Sequence, residues 1–392
     1  MNIDRDNIII GLFHEGLAYK EILAFLLKWN NLDLSLRQLK RILKRYNLRR
    51  RLNNDENIAD VTEVIQSELL SDGCNLGYRS MHQKLIIKYH LNTSREQVRQ
   101  ILGRLDPEGV NSRKKRRLRR RTYVCKGPNE LWHMDGYDKL KPYGFAIHGC
   151  IDGFSRKILW LNVNSTNNDP AIIAKYYLNF VSQTNGTARR IRADCGTENS
   201  NVAGIQRLFR THPIDESDNA FGLQSFLYGK STSNQRIEAY WSKLRPTVTQ
   251  YWMSHFKDMR DAGELDETDD LFRDCLRFSY MSLIQRSLDG AKELHNTHRI
   301  RRYNFQECPS GRPNVIYDIP EVYDAEDYIV PVTDEDIEIA NEVTTEPLLN
   351  GCSVEFNALA HFIMQELNAE EPENAAEAKQ LYLDMCSIIR NF

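Results

Sequence analysis

Apolar positions in the first hundred residues recur at helical spacing, and they do so twice. The segment Ser35-Leu-Arg-Gln-Leu-Lys-Arg-Ile-Leu43 aligns with Ser94-Arg-Glu-Gln-Val-Arg-Gln-Ile-Leu102. Each places a serine three residues before a glutamine, the signature of a capping box, and then runs apolar at Leu39, Ile42, Leu43 or Val98, Ile101, Leu102. A further amphipathic segment precedes each, Tyr19–Asn30 and Tyr78–Tyr89, joined by the short links 31–34 and 90–93. The pattern predicts two helix-turn-helix units over residues 1–110, with Leu36, Leu39, Leu43 and Tyr46 turned inward in the first.

The period changes after Tyr123. Glu130–Asp135, Tyr143–Asp152 and Lys157–Val163 are short, β-rich segments separated by turn residues. Pro170–Thr184 reads as an amphipathic helix with proline in its first turn, and Arg189–Asp194 as another strand. Three strands, a helix and a further strand predict an α/β domain with a mixed sheet. Helices are expected from Asn234 to about His255 and from about Asp270 to His295, then, after a stretch of poor periodicity, over Val354–Asn368 and Ala375–Ile389.

Charge sharpens this division. The net charge of −2 conceals 25 basic against 14 acidic residues in 1–122, and 2 against 18 in 318–392. A basic head suits a polyanion, and the basic run Arg113–Arg121 is too dense to be structured alone. It reads as a nuclear-import signal or a linker gripping a DNA backbone, so a nuclear protein is expected. The eight cysteines are scattered with no Cys-x-x-Cys pair, which argues against a zinc ribbon and for free thiols. No apolar run approaches the roughly 18 residues that span a membrane, and Met1–Asp6 is charged, unlike a secretory leader. The expected domains are a tandem helix-turn-helix region at 1–110, a basic linker at 111–122, an α/β core with a helical extension at 123–317 and a mainly helical acidic tail at 318–392.

Four segments carry a resemblance. Trp132-His-Met-Asp135, Ile151-Asp-Gly-Phe-Ser-Arg156, Arg192-Ala-Asp-Cys-Gly-Thr-Glu-Asn199, and Ser231-Thr-Ser-Asn-Gln-Arg-Ile-Glu238 with Ala-Tyr-Trp-Ser-Lys-Leu-Arg245 resemble, in order, the motifs of a retroviral-type integrase catalytic core. The resemblance covers roughly 123–250 and extends to the insertion-sequence transposases, which share the upstream arrangement. It implies a ribonuclease-H-like fold with a mixed five-stranded sheet. It also implies a DDE integrase or transposase whose catalytic and metal-holding carboxylates are Asp135, Asp194 and Glu238. Asp135 and Asp194 are separated by 58 residues, and Asp194 and Glu238 by 43. The second gap exceeds the family's usual spacing, and an insertion between Asn201 and Lys230 is expected to lengthen a flexible active-site loop.

The chemistry explains the residue types. A phosphodiester repels an attacking oxygen, and two divalent cations about 4 Å apart can hold the entering and leaving oxygens in line. Magnesium, or manganese, prefers oxygen ligands. Asp135 is expected to bridge two such ions, with Asp194 on one and Glu238 on the other, while water and then a DNA 3′-hydroxyl attack. Arg37, Lys40, Arg41, Lys44, Arg45 and Arg99 on the capped helices are candidates for contact with double-stranded DNA, as are Arg113, Lys114, Lys115, Arg116 and Arg117 in the basic run. So are Arg236, Lys243 and Arg245 beside Glu238, though each also fits an ordinary solvated helix face. Asp138 is a possible extra ligand, Asp152 a turn residue, Asp169 a helix N-cap, and His133 a packed strand histidine or a support for the site. His295 and His298 have no cysteine partner at zinc spacing. The stretch His295–Arg302 with Ser310–Pro313 resembles a segment that follows the core in eukaryotic members. A homo-oligomer is implied, since such enzymes act on two DNA ends. The alternatives are a domesticated, catalytically silent DNA-binding protein and a structure-selective nuclease on the same fold.

Overall fold

A computed structural model describes residues 2–48, 58–91, 93–112, 124–214, 218–230, 233–266, 269–301 and 308–391. They divide into two compact units, Met1–Lys126 with Glu293–Glu326, and Gly127–Lys292 with Asp327–Phe392. The segment Arg113, Lys114, Lys115, Arg116 and Arg117 lies outside the described residues.

The first unit opens with two sets of helices. Helices α1 (Asn2–His14), α2 (Tyr19–Asn30) and α3 (Leu36–Arg45) enclose Ile9, Phe13, Ile22, Leu26, Leu39, Ile42 and Leu43. Helices α4 (Ile58–Leu69), α5 (Tyr78–Ile87) and α6 (Arg95–Leu105) enclose Val61, Ile65, Met81, Leu85, Val98, Ile101 and Leu102, with α7 (Pro107–Ser112) following. The repeat extends to the backbone. Ser35 and Ser94 each accept from the N3 amide at 3.2 Å, while Gln38 and Gln97 reach back to the serine N–H at 2.8 and 2.9 Å. Asn31 and His90 both take positive φ, and the next amides, of Leu32 and Leu91, both bond back to the carbonyls of Leu26 and Leu85 at 2.9 Å. Two expected inward positions point out: Leu36 and Tyr46 are 41% and 43% exposed, and Ile42 is buried instead. Ile42 lies on the Leu39–Leu43 stripe of a 3.6-residue helix, whereas Tyr46 caps the helix end and hydrogen bonds the buried Asp6 at 3.0 Å.

The second unit is built on a sheet of β1 (Leu131–Tyr137), β2 (Ala146–Asp152), β3 (Ile158–Asn164), β5 (Arg190–Ala193) and β6 (Phe226–Tyr228), in the order β3-β2-β1-β5-β6. The β1–β2 and β2–β3 pairs are antiparallel, and β1–β5 and β5–β6 are parallel. This is the mixed five-stranded sheet of the ribonuclease-H-like fold. Between β3 and β5 lie α8 (Pro170–Thr184), capped by Asp169 through the amide of Ala171, and the short β4 (Gly186–Thr187). Between β5 and β6 lies α9 (Ser200–Phe209). The stretch expected to be a lengthened loop therefore supplies a helix and the edge strand. It is pinned by Arg210, buried in an ion pair with Asp218, whose carboxylate also accepts from the amides of Ile214 and Ala220.

The long helix expected after Asn234 is broken. It runs as α10 (Gln235–Leu244), a π turn over Arg245–Thr249 and α11 (Gln250–Asp261). Pro246 in that turn lacks an N–H and cannot complete the α-helical ladder. Helix α12 (Asp270–Thr297) follows; the division between units falls within it, and α13 (Pro313–Asp318) belongs to the first unit.

The segment read as an acidic tail does not stand apart. After β7 (Val330–Pro331), which pairs with β4, come α14 (Asp334–Asn341), α15 (Val354–Glu366) and α16 (Ala375–Arg390). Phe356, Ile363, Leu381, Tyr382 and Met385 join one core with Trp252 and Phe256 of α11, Tyr280 and Ile284 of α12, and Ile147 and Leu161 of the sheet. The acidic side chains occupy the outer face of these helices, so the charge count concealed an apolar stripe.

Candidate active site

Asp135 sits in the middle of β1, opposite Gly149 of β2. Asp194 directly follows β5, the parallel neighbour of β1, so the sheet brings the two aspartates to adjacent strands. Glu238 lies in the first turn of α10. Each carboxylate is only partly exposed.

Their electrostatics follow from this placement. Burial is the largest cause lifting the Asp135 carboxyl to about 7; the indole of Trp241 opposes it, while the charges of Glu238 and Asp194 add to it. Burial and the charge of Asp194 also raise Glu238. The three therefore act on one another, and a site made only of carboxylate oxygens is unfavourable without a cation. That donor set fits magnesium or manganese. Among the described residues, no three His, Cys, Asp or Glu side chains are gathered closely enough to form a ready cage.

The supporting residues are specific. Asp194 Oδ1 accepts from Asn199 Nδ2 at 3.1 Å and from the amide of Gly196 at 3.2 Å. The same Asn199 nitrogen donates to Glu198 Oε1 at 3.1 Å, and burial with the nearby Asp194 raises the Glu198 carboxyl. Trp241 Nε1 donates to Asp135 Oδ2 at 2.9 Å. His133 is fully buried, and burial pushes its imidazole down to about 3, so it is neutral. Its Nδ1 meets Asn234 Oδ1 at 2.8 Å, and Asn234 Nδ2 donates to the carbonyl of Met134 at 2.8 Å. Asn234 thus ties the start of α10 to β1, which makes His133 a support for the helix bearing Glu238. Sequence reading did not single out Trp241 for this work, although it stands inside a quoted motif.

The other candidates are placed as follows. Asp152 is buried and accepts from the amides of Asn129, Phe154 and Ser155 and from the Ser155 hydroxyl, so it organises the turn after β2. Asp138 is exposed and engaged by Lys141 and Asn167. Arg236 donates from Nε to the carbonyl of Gly153 at 2.9 Å, while Lys243 and Arg245 are exposed. In the first unit, Arg37, Lys40, Arg41 and Lys44 are exposed on α3. Arg45 lies 3.4 Å from the buried Asp6, and Arg99 is forked onto Glu96. All eight cysteines are free thiols, and no described helix is long and apolar enough to cross a membrane.

The integrase core domain family matches residues 122–310, which takes in the sheet, all three carboxylates and α12. Those residues belong to the integrase core domain family, of the retroviral type. The match supports a place for these residues in the integrase and transposase superfamily. No curated protein matches the chain.

Proposed function

We propose that the chain is a DDE integrase that cuts DNA ends and joins them to target DNA. The observation carrying this is the placement of Asp135 on β1, Asp194 at the end of β5 and Glu238 on α10, where their charges act on one another, within an integrase core. Two divalent ions held by Asp135, Asp194 and Glu238 would supply positive charge at the scissile phosphate and its flanking oxygens. The chain's own residues do the rest. Asn199 holds Asp194, and the His133–Asn234 link holds α10 against β1. The exposed Lys243 on α10 and Arg245 at the start of the π turn offer cations to flanking phosphates. The first unit offers Arg37, Lys40, Arg41 and Lys44 on the outer face of α3 to double-stranded DNA. Nuclear import through Arg113–Arg121 and action as a multimer on two DNA ends belong to the same proposal.

The test is a strand-transfer assay on candidate terminal-repeat DNA with magnesium or manganese. Joined product that disappears with chelator supports the reading. DNA binding without cleavage on every end tried makes the chain a silent, domesticated relative.

A further inference from the structure

Trp241 stands three residues past Glu238 on the same helix, 5% exposed, with its N–H on Asp135 Oδ2 at 2.9 Å. The ring leans on Tyr137, centroids 4.9 Å apart and planes tilted by 30°. The room it occupies exists because residue 149, the cross-strand partner of Asp135, has no side chain. A Cβ at Gly149 would lie 2.8 Å from Trp241 Cη2, closer than packed carbons tolerate, and 3.2 Å from Leu161 Cδ1, a tight contact. One helix therefore delivers a carboxylate to the site and also a donor that fixes the carboxylate facing it.

Resting on the reading of the site as a cation-holding centre, we propose that Trp241 is the positioning residue of Asp135, and Gly149 the seat that admits it. A carboxylate that must serve two cations needs its plane fixed, and the Trp241 N–H on Oδ2, together with the backbone hydrogen bond of Gly136, fixes it while leaving oxygen lone pairs for ligation. The donor's neutrality matters as much as its direction. Indole N–H donates without adding charge, so it orients Asp135 and leaves its negative charge to the cations, whereas lysine or arginine there would compete with them. Asn234, one turn before Glu238, anchors the other end of the same stretch of α10, so Glu238 is braced from both sides.

Trp241→Phe in the full chain keeps a ring over Gly149 and removes the N–H. Calorimetric titration with Mn2+ is expected to show affinity weakened by about tenfold or more, with the melting midpoint shifted by no more than a few degrees. Gly149→Ala keeps the N–H but displaces the ring; it is expected to give a similar loss, and the double variant little more, because both act through one hydrogen bond. Wild-type Mn2+ affinity in both single variants overturns the proposal. The indole N–H resonance of Trp241, identified by its absence in Trp241→Phe, provides a second readout that needs no metal. It is expected to move when Asp135→Ala removes the acceptor. A wild-type chain that binds no Mn2+ defeats the proposed function rather than this inference. In that case a resonance unmoved by Asp135→Ala overturns the positioning role, and a displaced one sustains it.

Discussion

His133 and Asn234 meet in a fully buried hydrogen bond, Nδ1 to Oδ1 at 2.8 Å, that joins β1 to the residue preceding α10. Asn234→Ala removes one hydrogen bond from the imidazole and one from the Met134 carbonyl, a loss of about 1–3 kcal/mol. Chemical denaturation is expected to show this loss. DNA cleavage is expected to fall further than stability accounts for, because Glu238 rides on the loosened helix.

The three carboxylates are expected to behave as one unit. Asp135→Asn, Asp194→Asn and Glu238→Gln each remove a negative ligand and keep its shape. Each is expected to abolish cleavage and joining of labelled terminal-repeat DNA, and double changes to add little. DNA binding by the first unit is expected to persist. Cleavage at the wild-type rate by Asp194→Asn or Glu238→Gln in magnesium would refute this assignment. Asp152→Asn is expected to differ, costing about 1–3 kcal/mol of stability by setting an amide N–H against donors.

The Asp135 carboxyl sets a pH dependence with a defined sign. Its folded value, about 7, lies above the ordinary aspartate value of 3.8, so the stability it confers is complete below that lower value. That stability is lost as pH rises toward 7. Without metal, Asp135→Asn is expected to melt higher than wild type at pH 8 by a few degrees, since roughly 1 kcal/mol moves the midpoint of a domain of this size by about 2–4 °C. At pH 4 the difference is expected to vanish. A variant that melts lower than wild type at pH 8 would contradict the buried, crowded environment of this group.

Residues 327–392 are expected to be indispensable to the second unit. Phe356→Ala removes a ring from the core shared with α11, α12 and the sheet, and about 3–5 kcal/mol of stability with it. A chain ending at Ser353 lacks α15 and α16 and is expected to lose cooperative unfolding by calorimetry.

DNA affinity is expected to fall linearly on a log–log plot against salt. Neutralising Lys40 or Arg41 on the exposed face of α3 is expected to lower the slope by about 1 for each phosphate that the side chain had neutralised. The full chain suits this measurement better than residues 1–122, because Arg312 bonds Glu21 and the Gly16 carbonyl within the first unit.

The strands of the core were legible because their periods and turns are local: the expected 130–135, 143–152 and 157–163 became 131–137, 146–152 and 158–164. The segments that bear Asp135, Asp194 and Glu238 were legible because each motif is contiguous in sequence. What remained hidden depends on distant partners. Trp241 looks like any apolar helix residue until β1 and Gly149 are set beside it. Helices α1 and α4 carry weaker patterns and complete cores whose strongest stripes lie on α3 and α6. The role of the last 66 residues was masked by composition, since their many acidic residues drew attention away from the apolar residues that do the packing.

That packing bears on how the protein is made. Synthesis proceeds from the N-terminus at about 5–20 residues per second, and domains commonly fold as they emerge. Here the sheet bearing Asp135 and Asp194 leaves the ribosome well before Leu381, Tyr382 and Met385, which close over the helices packed against it. The nascent chain thus holds an uncovered apolar surface until α16 is out. A premature stop ahead of α16 is expected to yield chaperone-bound or degraded polypeptide rather than a folded second unit.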